Sequence, residues 1–241
     1  MTEVLLEAIL QVILLMPFAF LLLKSKATRH IQRLLLVVFI FVVYQVVLAL
    51  PTIQADFTFI ASSWNWEGKL YGISWGIISY FLFRNYFKTT DFFTLKQSKA
   101  YLKPALLAAI GIVLLSITAG FVFDKVACNI EALAFQFTLP GLDEEMMFRG
   151  ILLGLLASSL KEKIPYLGNP SIALTAILFG FTHALTLNKA DGVNFDTLYF
   201  VQTCFQGYVW GWITLKSRSI LLPILSHNCS NFFGMLATMI G

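Results

Sequence analysis

The chain has 241 residues, of which 58% are hydrophobic and 12% charged, with a formal net charge of +4 at pH 7 and a mean hydropathy of +0.79. A soluble domain carries about 25% charged residues, so this composition excludes one. The basic residues flank apolar runs and form no patch, which speaks against a nucleic-acid partner. Helices of roughly 20 residues joined by short loops use nearly all of the length, leaving a single transmembrane domain over residues 1–241. Cys128, Cys204 and Cys229 make no disulfide framework.

The first apolar run, about 4–23, carries Glu3 and Glu7 at its leading end and Lys24, Lys26, Arg29 and Arg33 after it. That order fits an anchor with its N-terminus outside the cytoplasm better than a cleavable signal. A second span, about 34–50, ends at Pro51, and Trp64 and Trp66 in the following loop read as interfacial aromatics. The third span, about 70–87, contains Gly72 and Gly76 at the spacing that lets helices approach closely. Residues 88–103 alternate basic groups with Phe92, Phe93 and Leu95 and read as a segment lying on an anionic membrane surface.

The fourth span is about 104–123. The loop 124–140 contains apolar residues 133–137 and reads as one that dips back into the bilayer. Pro140-Gly141 is expected to break the chain, with Asp143 capping a fifth span at about 144–160. Pro170 opens a sixth span reaching Leu187, a seventh covers about 198–215 with Gly207 and Gly211, and an eighth covers about 220–240. The fold class is therefore all-α, a polytopic bundle of about eight transmembrane helices, with the chemistry-bearing motifs in residues 141–241.

Basic residues orient the bundle. One set of alternate loops holds Lys24, Lys26, Arg29, Arg33, Arg84, Lys88, Lys96, Lys99, Lys103, Lys161, Lys163, Lys216 and Arg218; the other holds Lys69, Lys125 and Lys189. Both termini are expected on the non-cytoplasmic side of what reads as a prokaryotic plasma (inner) membrane.

Ionisable groups inside a membrane are costly and mark function until a structural use is shown. Glu145 and Arg149 are i and i+4 on a helix and can pair along one face. Glu144 lies about 100° round from Glu145 and points elsewhere. Both carboxylates are expected in the first turn of the fifth span, favoured there by the helix dipole. His183 stands near the end of the sixth span, and His227 and Asn231 are i and i+4 on the eighth. The structural alternative is an ion pair and interhelical hydrogen bonds. Three such groups on three helices fit peptide hydrolysis instead. Glu144 with His183 would hold and deprotonate a water, while His227 and Asn231 would receive the oxyanion. Zinc is the rival activator, since glutamate and two histidines are a zinc-type set, but no His-Glu-x-x-His is present. No nucleophile elbow and no nucleotide-binding loop is present either.

Glu144-Glu145-Met-Met-Phe-Arg149, Phe179-Gly-Phe-Thr-His183 and His227-Asn-Cys-Ser-Asn231 resemble the CPBP family of intramembrane proteases (CAAX proteases and bacteriocin-processing enzymes), whose motifs are Glu-Glu-x-x-x-Arg, Phe-x-x-x-His and His-x-x-x-Asn/Asp. The resemblance covers about 143–231 and does not reach the first four spans. It implies an eight-helix bundle and glutamate-dependent hydrolysis of a peptide or membrane-anchored protein. Glu144 would be the base, His183 its partner on the water, His227 and Asn231 the oxyanion site, and Glu145 and Arg149 their support. No cofactor is expected, with zinc the one candidate. One feature departs from CAAX trimming: the charge bias places the Glu144 and His183 ends outside, away from cytosolic tails. A non-catalytic scaffold or immunity protein and a proton-coupled transporter are the competing classes; no repeated halves favour the transporter.

Overall fold

A computed structural model describes residues 1–122, 125–166, 168–188 and 192–241. Phe123, Asp124 and Lys189, used above in placing a span end, a loop and an outer charge, lie outside the described residues. The chain is a mostly helical membrane protein. Its helices are α1 (Thr2–Leu21), α2 (Thr28–Ile53), α3 (Trp66–Phe83), α4 (Leu102–Val122), α5 (Ile130–Glu145), α6 (Leu153–Ser159), α7 (Pro170–Ala184), α8 (Thr197–Ser217) and α9 (Leu221–Ile240). A π-helical stretch, Met146–Leu152, joins α5 to α6, so residues 130–159 form one continuous rod and the described helices make eight rods. Among the described residues three helical stretches are long and apolar enough to cross a membrane on those grounds alone: Thr2–Leu21, Thr28–Ile53 and Lys99–Val122.

The rod 130–159 is the axis of the bundle. Residues 147–156 are all buried, and Met147, Phe148 and Ile151 pack with Phe41 and Tyr44 of α2 and with Phe179 of α7 in one apolar core. This overturns the expected break at Pro140-Gly141. The region 130–140 is helix, not a re-entrant loop, and the cap is Asn129, whose side chain accepts from Ala132 N at 3.0 Å. Asp143 is not a cap but a buried side chain in mid-rod.

Pro140 has no N–H to donate and should weaken the helix there. The repair comes from α9. The Asn228 side chain accepts from Gly141 N at 2.8 Å and donates to Thr138 O at 3.1 Å, stapling both sides of the proline. Glu144 therefore stands roughly 21 Å along the rod from its start, in the bundle interior and not in a first turn at its mouth.

One further expectation is corrected. The sixth span ends at Ala184, not Leu187, because the Ala184 carbonyl accepts from Asp196 N at 2.9 Å. The chain instead forms a two-stranded antiparallel hairpin, β1 (Leu185–Asn188) and β2 (Gly192–Phe195), pairing Leu185 with Phe195. The segment after α3 is tied into the bundle by its aromatic residues, while Lys88, Leu95, Lys96 and Lys99 stay exposed. Phe87 and Phe92 are fully buried, and Phe92 O accepts from Ile220 N at 3.1 Å. It wedges under the bundle because its aromatic residues find a protein core closer than lipid.

The basic loops gather at this same end. Arg33 donates to Tyr86 O at 2.7 Å and to Ser158 O at 3.1 Å, Lys24 N donates to Ser159 O at 2.9 Å, and Arg218 donates to Thr89 O at 3.0 Å. At the opposite end Trp64 and Trp66 pack on Phe135, each with ring centroids 5.1 Å away.

Asn228→Ala leaves the buried Gly141 N–H without its side-chain acceptor. The expected loss is about 1–3 kcal/mol, seen as a lower thermal-unfolding midpoint in detergent micelles.

Candidate active site

Three consecutive carboxylates project from the rod in three directions, as successive residues of a helix must. Asp143 points to α2 and α3: its Oδ2 accepts from Tyr44 Oη at 2.7 Å and from Lys69 Nζ at 3.0 Å. Glu144 points into a cavity, with Oε1 accepting from Lys69 Nζ at 2.6 Å. Glu145 points to α8 and α9. Its Oε1 accepts from His227 Nδ1 at 2.8 Å, and its Oε2 lies 3.2 Å from Arg149 Nε.

Arg149 is fully buried in the π-helical stretch. Its guanidinium sits 4.4 Å from the Phe179 ring centroid and 5.5 Å from that of Trp210, a cation held against aromatic faces. Gly207 makes this fit possible. A Cβ there would stand 3.1 Å from Arg149 Nη2.

The two imidazoles approach the free side of Glu144. His183 Nε2 and His227 Nε2 lie 3.7 and 3.8 Å from Glu144 Oε2, beyond direct hydrogen bonding and close enough to share one water with it. Among the described residues that oxygen has no hydrogen-bond partner. His183 Nδ1 donates to the Phe179 carbonyl at 2.8 Å, which leaves Nε2 as the acceptor of the neutral ring. The spacing Phe179-x-x-x-His183 is thus one backbone hydrogen bond plus one ring that floors Arg149. His227 stacks on Trp210 with centroids 4.0 Å apart and planes at 8°.

Glu144, His183, His227 and Asn231 share one cavity of about 560 Å³. Two polar stripes line it: Tyr199, Gln202, Thr203 and Gln206 on α8, and His227, Ser230, Asn231 and Thr238 on α9. The cavity runs toward Val126 and Thr238, the end away from the basic loops. A smaller cavity of about 150 Å³, lined in part by Tyr44, Lys69, Thr182 and His183, lies on the other side of Glu144. Among the described residues no group of three or more His, Cys, Asp or Glu side chains is placed to hold a metal ion.

All six residues singled out in the sequence, Glu144, Glu145, Arg149, His183, His227 and Asn231, converge on this centre. Sequence reasoning missed Lys69, counted as a loop charge, together with Asp143 and Tyr44. A signal existed for Lys69: three adjacent buried acids need more than the one cation Arg149 supplies.

Residues 128–233 match the family model described as type II CAAX prenyl endopeptidase Rce1-like. No curated protein and no solved structure matches the chain. The family match spans all three motifs and bears out the resemblance they carry.

Removing one partner of a buried charge pair leaves the other uncompensated, which costs about 3–5 kcal/mol. Arg149→Met is expected to lose about that much in thermal unfolding, and Glu145→Gln with Arg149→Met to recover part of it.

Proposed function

We propose, from the premise that residues 128–233 belong to the CPBP family of CAAX-type proteases, that the protein is an intramembrane endopeptidase working without a nucleophilic side chain. The observation that carries this reading is Glu144 Oε2, without a hydrogen-bond partner among the described residues and facing the Nε2 atoms of His183 and His227 at 3.7 and 3.8 Å. A water between Glu144 Oε2 and His183 Nε2 meets two acceptors. It donates a hydrogen bond to each and turns a lone pair toward the cavity. Glu144 takes one proton as that water attacks the peptide carbonyl, then delivers it to the leaving amine.

His227 and Asn231 receive the oxyanion. Glu145, 2.8 Å from His227 Nδ1, and the stacked Trp210 ring hold the His227 imidazole with Nε2 toward the cavity. No step passes through a metal.

The eight rods serve as eight spans, with the basic loops in the cytoplasm of a prokaryotic cell and both termini outside. Buried Phe87 and Phe92 close the cytoplasmic end, and the cavity extends toward the other. The substrate is then an exported peptide, a leader or the end of a membrane-anchored protein, reaching the site from the non-cytoplasmic side. The polar stripes of α8 and α9 supply hydrogen bonds to its main chain.

In proteoliposomes, Glu144→Gln and His183→Ala are expected to lose about 10²–10⁴-fold in cleavage rate with an unchanged unfolding midpoint. Cleavage retained in both variants rejects the reading. Activity should survive 1,10-phenanthroline, and loss that zinc restores would reject the metal-free mechanism. Cys128 is exposed beside α5 at the outer end. A membrane-impermeant maleimide should label it on intact cells, and labelling only after lysis would invert the topology.

A further inference from the structure

We propose that Lys69 is the positioning residue for the base: its ammonium, delivered by α3, keeps Glu144 a carboxylate and turns Oε2 toward the water site. The inference rests on the peptidase reading above and concerns a residue outside the matched stretch 128–233.

The placement is hard to account for otherwise. Lys69 is three residues into α3, where a long side chain ordinarily lifts its head group to the nearby interface and where the helix dipole disfavours a cation. Instead its side chain is 13% exposed, and its Nζ lies 2.6 Å from Glu144 Oε1 and 3.0 Å from Asp143 Oδ2. α3 is shaped for this approach. Gly72, one turn further on, leaves no room for a Cβ against the Asp143 carboxylate. Tyr44 Oη, donating to Asp143 Oδ2 at 2.7 Å, fixes the second carboxylate that brackets the ammonium.

The division of labour follows from the two oxygens of Glu144. Oε1 is engaged by Lys69, so the side chain cannot swing, and Oε2 is left for the imidazoles. The groups facing Glu144 come from every helix packed there: Lys69 from α3, Tyr44 from α2, His183 from α7, Tyr199 from α8 and His227 from α9, with Asp143 and Glu145 on its own rod. Among the described residues, Lys69 is the lysine or arginine in hydrogen-bond contact with Glu144. Arg149 serves Glu145 instead. Without Lys69 the base would sit between two other acids in a poorly hydrated place and would hold a proton, which makes it useless for activating water.

The test compares wild type, Lys69→Met, Lys69→Arg, and Lys69→Met with Asp143→Asn, the last retaining fold by removing the cation together with its second partner. Infrared spectra at neutral pH should show a protonated-carboxyl C=O band in Lys69→Met with Asp143→Asn. That band should vanish when Glu144→Gln is added. Cleavage is read on whichever member of a mixed decapeptide library the wild type cuts fastest in proteoliposomes. There kcat should fall about 100-fold with KM changed less than about twofold, and Lys69→Arg should keep roughly tenfold more activity than Lys69→Met. Absence of a Glu144-dependent band, or kcat within roughly threefold of wild type, overturns the proposal. If Glu144→Gln alone still cleaves, the peptidase reading fails separately, while the infrared band still decides whether Lys69 holds Glu144 ionised.

Discussion

Three adjacent carboxylates buried in the middle of a lipid-soluble bundle set the terms for the rest of this structure. An isolated carboxylate in such surroundings is very costly. Because neighbours on a helix diverge by about 100°, one cation cannot serve all three. The acids therefore draw on cations from two directions, with Asp143 and Glu144 sharing Lys69. Asp143 reaches Tyr44 and Lys69, Glu144 reaches Lys69, and Glu145 reaches Arg149 and His227. The helix packing answers to this need. α3 comes close at Gly72 to deliver Lys69, and α8 comes close at Gly207 to leave space for the Arg149 guanidinium.

The continuity of the 130–159 rod is what puts this charge in the interior. A break at Pro140 would have left the acids at a helix start, where free N–H groups could satisfy them with no help from other helices. With the rod unbroken their backbone N–H groups are spent in the helix, and only side chains can answer. The proline still has consequences, since Asn228 must span it from α9. That places His227, the residue before Asn228, in fixed relation to Glu145. The π-helical stretch that follows carries Arg149, and π-bulges of this kind recur at functional sites. One helix defect thus ties the rod to the helix bearing His227 and Asn231, while the other holds the guanidinium.

The parts of the site legible in the sequence were those set by local spacing. Glu145 to Arg149, Phe179 to His183 and His227 to Asn231 are each one helical turn apart, so their shared faces follow from helix geometry alone. Long-range contributions left no such trace. Lys69 resembles a topology-setting loop charge because it sits near a helix start, and only tertiary packing turns it inward. Pro140-Gly141 is the strongest local punctuation in the chain, yet Asn228, far along the sequence, overrides it. Residues 88–103 have the composition of a surface-lying segment, and buried Phe92 is explained only by the core it meets.

Hydropathy draws a related contrast. α1, α2 and the helix 99–122 pass as spans by apolarity, whereas α3, α8 and α9 do not. Among the polar residues of these helices, Lys69, Gln202, Gln206, His227 and Asn231 line the cavity. Polar side chains on such helices are tolerable only when they face one another across a hydrated space. Part of the deficit in hydropathy therefore lies on the cavity wall. It also shows that the first four helices are more than an apolar frame for the family-matched part. α2 and α3 supply Tyr44 and Lys69, and a centre built only from residues 128–233 would leave Asp143 without a partner and Glu144 without its cation.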